Sequence, residues 1–164
     1  MGVFWNGKFG LGEIWLEKTR SKFNVSKDKE KRTYNGIEFD SQLEMKYFRD
    51  VICPKVESGD IVEYTLQKEY ILQPKFIYND TNVQSIKYVS DFHIVYKNGS
   101  EEVIDTKGMA DPVCKIKRKI FWYLFPDIKY SWIGYSKIDG GFVDWDYIQK
   151  QRRERKKVKS KAGE

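Results

Sequence analysis

The sequence predicts an α/β fold, a mixed central sheet flanked by helices in the order α-β-β-β-α-β. Three observations predict it. Two amphipathic segments of helical spacing, near residues 41–53 and 111–125, bracket a block of strand-like runs rich in β-branched and aromatic residues. Asn98-Gly99 joins two of those runs, a strong short-range hairpin signal. A fourth run, "IKYSWIGY", follows the second helix and completes a compact α/β sandwich.

Taken in order, residues 1–33 set Gly2, Gly7, Gly10 and Gly12 among Phe4, Trp5, Phe9 and Trp15, then end in the charge-rich "SKDKEKR". They read as an irregular or hairpin-like extension whose aromatics pack on the body or on a second subunit. The body spans 34–148. It opens with a turn at Asn35-Gly36 and a helix from Ser41 to Cys53, with Tyr47, Phe48, Val51 and Ile52 as its apolar stripe. "GDIVEYTLQKEYIL" is one long strand or a bent pair, and "QPKFIYNDTNVQ" a loop or small excursion. "SIKYVSDFHIVY" is a strand, "KNGS" the turn and "EEVIDTK" the returning strand. Asp111-Pro112 caps and starts the second helix, whose core stripe is Val113, Ile116, Ile120, Tyr123 and Leu124. "WDYIQKQRRERKK" is a terminal helix fading into a basic tail, 149–164.

The charge is concentrated in that tail. Residues 149–164 carry eight basic and two acidic side chains, leaving 22 of each sign before them, so the whole excess of +6 is terminal. Such an arm seeks polyanions, because neutralising phosphates releases counterions. No apolar run approaches a membrane span. Two cysteines and a single histidine exclude a zinc-finger nuclease and a Ser-His-Asp triad. Free thiols and a cytoplasmic location are expected.

The chemistry lies on the hairpin. Asp91 shares a strand face with Val89, His93 and Val95, and Asp105 shares one with Val103 and Lys107. Brought together, two carboxylates and an ammonium converge at one end of the sheet. Unpaired carboxylates that close repel, and a divalent cation removes the cost. Mg²⁺ prefers oxygen ligands, so Asp91, Asp105 and the carbonyl of Thr106 make a cage for it, with Mn²⁺ able to substitute. Lys107 would orient or deprotonate a water, or offset developing phosphate charge. Glu44 falls near the centre of the first helix's apolar stripe. Ser41-x-x-Glu44 also matches a capping box, but beside Asp91 and Asp105-x-Lys107 the acid reading is preferred. His93 reads as a satisfied core histidine.

"SD" at 90–91, "DTK" at 105–107 and the preceding helical Glu44 resemble the PD-(D/E)XK nuclease superfamily. The resemblance runs from Tyr34 to Tyr135. The order of elements, with "GIEFDSQLE", "LQPKF" and "DTKG", is similar to small phage-encoded endonucleases of the junction-resolving, endonuclease I type. It implies a restriction-endonuclease-like core in which Asp91 and Asp105 bind metal, Lys107 assists the nucleophile and Glu44 completes the acidic cluster. Ser90 stands where the name-giving proline would be, and Asp105 where glutamate is more frequent.

The outer face of the second helix offers Lys115, Arg118 and Lys119 to DNA, with Trp122 among them for stacking. Lys117, beside the stripe, would reach a phosphate at the site's edge. Arg152, Arg153 and Arg155 extend the contact along the tail. The expected activity is Mg²⁺-dependent hydrolysis of DNA phosphodiesters, selective for branched DNA because little in the chain could read base edges. Cutting both strands of a junction implies a homodimer, in the host-cell cytoplasm if phage-encoded. The rivals are a transposon-end or repair nuclease with a partner subunit, and a non-catalytic nucleic-acid-binding protein.

Overall fold

The computed structural model describes residues 29–161. The expectation for residues 1–28, an aromatic extension packing on the body or a partner, lies outside the described residues, as do 162–164. The short strands β1 (Thr33–Tyr34) and β2 (Ile37–Glu38) pair antiparallel around Asn35-Gly36, both at positive φ (49° and 78°), the backbone a two-residue hairpin demands.

Helix α1 (Gln42–Tyr47) continues through a π-helical stretch (Phe48–Ile52) into α2 (Cys53–Glu57), one turn beyond the expected end. Pro54 explains the irregularity. It has no N–H to give, and its ring crowds the preceding turn, so the helix widens before it rather than stopping. Strands β3 (Ile61–Leu66), β8 (Phe92–Tyr96), β9 (Glu101–Thr106), β10 (Lys129–Ser136) and β11 (Gly141–Asp144) form a five-stranded sheet in the order β11-β10-β9-β8-β3. β9 and β10 run parallel and the other neighbours antiparallel. The connection between the parallel pair is α3 (Pro112–Leu124), capped by Asp111 Oδ1, which accepts from the N–H of Cys114 at 2.7 Å. The mixed α/β sandwich is therefore present, with β11 as a strand the sequence did not announce.

Of the two long runs, the first is the bent pair that was one of its two readings, and the second, read as one strand, is bent as well. The "GDIVEYTLQKEYIL" run breaks at Gln67-Lys68 into β3 and β4 (Glu69–Gln73), and "SIKYVSDFHIVY" breaks at Ser90-Asp91 into β7 (Ile86–Val89) and β8. β4 and β7 pair as a separate ladder. The corner keeps its hydrogen bonds: Gln67 N–H donates to Asp91 O at 3.2 Å and Ser90 N–H to Lys68 O at 3.0 Å. Proline at 90 could not donate that bond, which gives a physical reason for serine there. "QPKFIYNDTNVQ" is a small hairpin, β5 (Phe76–Tyr78) and β6 (Thr81–Val83), turning at Asn79-Asp80.

β9 is covered on both faces, so its residues divide between two cores. Ile104 joins Phe92, Ile94, Phe39, Met45, Tyr47, Phe48 and Ile52 under α1–α2. Val103 joins Tyr70, Leu72, Tyr88 and Phe121 under α3. The stripe expected to bury α3 is corrected. Val113 (60 % exposed), Ile116 (59 %), Tyr123 (85 %) and Leu124 face outward, and Phe121 is the helix's fully buried residue. Of the expected stripe Ile120 does pack on this core, beside Phe121 and Phe125, and the Arg118 guanidinium lies against the rings of Trp122 and Trp132 at 4.7 and 3.7 Å.

Helix α4 (Trp145–Lys161) takes up most of the expected tail. Asp144 Oδ1 caps it by accepting from the N–H of Tyr147 at 2.8 Å, and Arg118 reaches Asp146 at 2.8 Å, tying α3 to α4. Gly134 on β10 lets α4 approach: a Cβ there would lie 2.7 Å from Ile148 Cδ1 and 3.2 Å from Trp145 Cδ1. Gly134→Ala should therefore cost about 1–3 kcal/mol in urea unfolding. An unchanged midpoint would mean that α4 is not seated there.

Candidate active site

The site is built at the C-terminal end of β9. Asp105 is 2 % exposed, and a buried carboxylate needs donors. Oδ1 accepts from the Tyr88 hydroxyl at 2.6 Å and the Asp91 N–H at 3.3 Å. Oδ2 accepts from the Tyr130 hydroxyl at 2.7 Å and the Lys107 ammonium at 2.9 Å. Those four donors occupy about all the lone-pair directions a carboxylate has.

The antiparallel register Phe92↔Ile104, carried one step on, brings Asp91 opposite Asp105. Asp91 lies at the corner between β7 and β8, and its Oδ2 accepts from both the N–H (2.6 Å) and the hydroxyl (3.0 Å) of Thr106. Burial first, and the charge of Asp105 second, push its carboxyl up to about 7. Burial also works against the charge on Lys107, but Asp105 and Asp91 outweigh it and hold the ammonium above its ordinary value. The lysine's own N–H donates to Ile133 O at 2.7 Å, fixing its backbone to β10.

Glu44 folds back over its helix end as the capping reading expects, but onto the N–H of Asp40 and not that of Ser41. Ser41 Oγ accepts from the Glu44 N–H at 3.1 Å and donates to Glu44 Oε1 at 2.9 Å, while Oε2 accepts from the N–H of Asp40 at 3.1 Å. Its carboxyl nevertheless feels the site: burial, then the charge of Asp91, raise it well above the usual carboxylate range. Among the described residues no three His, Cys, Asp or Glu side chains are grouped to hold one ion. The expected three-acid cluster is thus reduced. Asp91, Asp105, Thr106 and Lys107 come together, and Glu44 is bent back over its own helix end.

The donor set still suits a hard cation. It is all oxygen, and two carboxylates, Asp91 and Asp105, stand beside the single ammonium of Lys107. A bound Mg²⁺ would rest on Asp91 and Asp105, with the Thr106 carbonyl available as a third oxygen. Asp105 would have to release one of its present donors to it.

Of the expected DNA contacts, Lys115, Lys119, Arg152 and Arg153 are exposed. Trp122 is also exposed, with Arg118 against its ring. Three cations are committed elsewhere: Lys117 donates to Lys87 O at 2.6 Å, Arg118 to Asp146, and Arg155 to Asp139 through both nitrogens at 2.7 and 2.9 Å. His93 is buried beside Glu101 (2.7 Å) and Lys68, the core histidine expected of it. Both cysteines are free thiols.

Sequence reasoning missed Tyr88, Tyr130 and Trp132. Tyr130's hydroxyl accepts from the Trp132 Nε1–H at 3.0 Å, and Trp132 is buried with the Lys107 ammonium 5.8 Å from its ring centroid. The one available signal was the placement of Tyr130 and Trp132 two residues apart on a strand, which puts them on one face. Gln67 was also missed. It holds a left-handed backbone (φ 53°) at the corner that carries Asp91.

A family model described as "Protein of unknown function (DUF1064)" matches residues 20–138. The chain belongs to this family. The DUF1064 match takes in Glu44, Asp91, Asp105, Lys107, Tyr88, Tyr130 and all of α3, and leaves β11 and α4 outside it. No curated protein and no solved structure matches the chain.

Proposed function

We propose that this DUF1064 protein is a metal-dependent endodeoxyribonuclease of the PD-(D/E)XK type with a restriction-endonuclease-like core. Its substrate in this reading is branched DNA, cut in the cytoplasm by a homodimer. The observation that carries the reading is the meeting of two carboxylates, Asp91 and Asp105, with Lys107 at one strand end. A structural ion pair needs one carboxylate; a second one held beside it costs stability.

Mg²⁺ supplies charge neutralisation and an activated water when bound at such oxygens. The chain's own residues do the rest. Thr106 fixes the rotamer of Asp91 through two bonds to one oxygen. Lys107, held in its charged form, is a donor to the scissile phosphate and not a base. This narrows its expected roles to offsetting charge in the transition state. Lys115, Lys119 and the outward cations of α4 bind the phosphate backbone without reading sequence.

The test is incubation of the purified protein with Mg²⁺ and, in parallel, a four-way junction, a linear duplex and single-stranded DNA. Cleavage of the junction alone is expected. Lys107→Ala should lower the rate by about 10²–10⁴-fold and leave junction binding nearly intact. If nothing is cut and binding is tight and salt-sensitive, the protein is a binding module. The four-donor satisfaction of Asp105 would then be purely structural.

A further inference from the structure

Asp105 is held by four donors of unequal freedom. The Asp91 N–H is backbone. The Tyr88 ring is clamped among Tyr70, Phe121 and Tyr130, with ring centroids 5.9, 5.5 and 5.2 Å away. The Tyr130 ring also lies 4.9 Å from that of Phe121. Lys107 alone reaches Asp105 on a flexible four-carbon arm.

The hydroxyl of Tyr130 is held from two more sides. An indole N–H can only donate, so Tyr130 accepts from the Trp132 Nε1–H at 3.0 Å, and its own hydrogen goes to the Asp105 carboxylate at 2.7 Å, the anionic acceptor beside it. A bond received in this way strengthens the bond given. The second aromatic core therefore does more than pack. It presents two aimed phenols to a single carboxylate.

We propose that Tyr88 and Tyr130 are positioning residues of the candidate site, with Trp132 setting the hydroxyl of Tyr130. One phenol on each oxygen fixes Asp105 in orientation, and Lys107 is the donor that gives way to an arriving cation or phosphate. The inference rests on the nuclease reading and names residues that reading did not use.

Tyr88→Phe and Tyr130→Phe keep the rings and remove only the hydroxyls. Mn²⁺ binding, followed by the paramagnetic resonance of the free ion, should weaken by about 10-fold or more in each. The turnover rate on a four-way junction should fall by a similar factor at unchanged KM, because the outward cations that bind DNA are untouched. A role in packing alone predicts a lower melting temperature with Mn²⁺ affinity and turnover unchanged; that result, or tighter Mn²⁺ binding, overturns the inference. Trp132→Phe leaves both phenols in place and should give a smaller loss in the same direction, so the claim stays open to refutation if a tyrosine variant fails to fold. Wild-type protein that neither binds Mn²⁺ nor cuts the junction overturns the nuclease reading as well. Wild-type protein that binds and cuts, beside tyrosine variants that do both equally well, overturns this inference alone.

Discussion

Asp105→Asn should abolish junction cleavage, with a loss in rate of at least about 10³-fold, and should also destabilise the fold. Both effects come from one atom set. The carboxylate is the shared acceptor of Tyr88, Tyr130, Lys107 and the Asp91 N–H. An amide keeps one acceptor oxygen and turns its NH₂ toward either the Asp91 N–H or the Lys107 ammonium, neither of which can accept. It takes from the largely buried Lys107 ammonium the carboxylate it pairs with, a change worth about 3–5 kcal/mol where no second acid is near and less here, where Asp91 stays. Urea unfolding followed by circular dichroism gives the stability, and a salt titration of junction binding shows whether DNA contacts survive. Cleavage at the wild-type rate in the variant would remove Asp105 from the chemistry.

Asp91→Asn should have the opposite effect on stability. In the folded protein the Asp91 carboxyl is pushed up to about 7, against an ordinary aspartate value near 3.9. Below pH 4 the group is protonated in folded and unfolded chains alike, and no cost arises. Between about pH 4 and 7 the unfolded chain ionises freely while the folded chain resists, so stability falls as pH rises and the full cost is present at pH 8. The amide never ionises. At pH 8 the variant should therefore be more stable than the wild type by about 2 kcal/mol, and the two should converge near pH 4. The gain is held down because Lys107 loses one of its two neutralising carboxylates. Junction cleavage should be lost all the same. A variant no more stable at pH 8 than the wild type would show that Asp91 ionises at no cost.

These paired outcomes bear on what could be read from the residues alone. Asp105-x-Lys107 and the Asn98-Gly99 hairpin were legible because both are local: side-chain alternation and turn chemistry operate over two to four residues. The capping by Asp111 and the helix after it were legible for the same reason. The corner at Ser90-Asp91 was not, because alternation runs on through the bend and the cause is a bond to Lys68 across the ladder. The α3 stripe misled because its packed face contains Arg118. Hydropathy scores a guanidinium as surface, and only the flanking tryptophans show that it lies inside. Tyr88 and Tyr130 stand 17 and 25 residues from Asp105, beyond any sequence window. Glu44 fitted two descriptions in the sequence. In the fold its oxygens serve the helix end while its charge still reaches Asp91.

The terminal cations stand on a rod and not on a loose string. A helix of 17 residues is about 25 Å long, so Arg152, Arg153, Lys156 and their neighbours keep set distances from one another and, through the seat at Gly134, from the end of β9. In the nuclease reading proposed above, a duplex lying along that rod would meet Asp91 and Asp105 at one angle. The positive end of this molecule would then work as a ruler, choosing which phosphodiester along a strand is within reach.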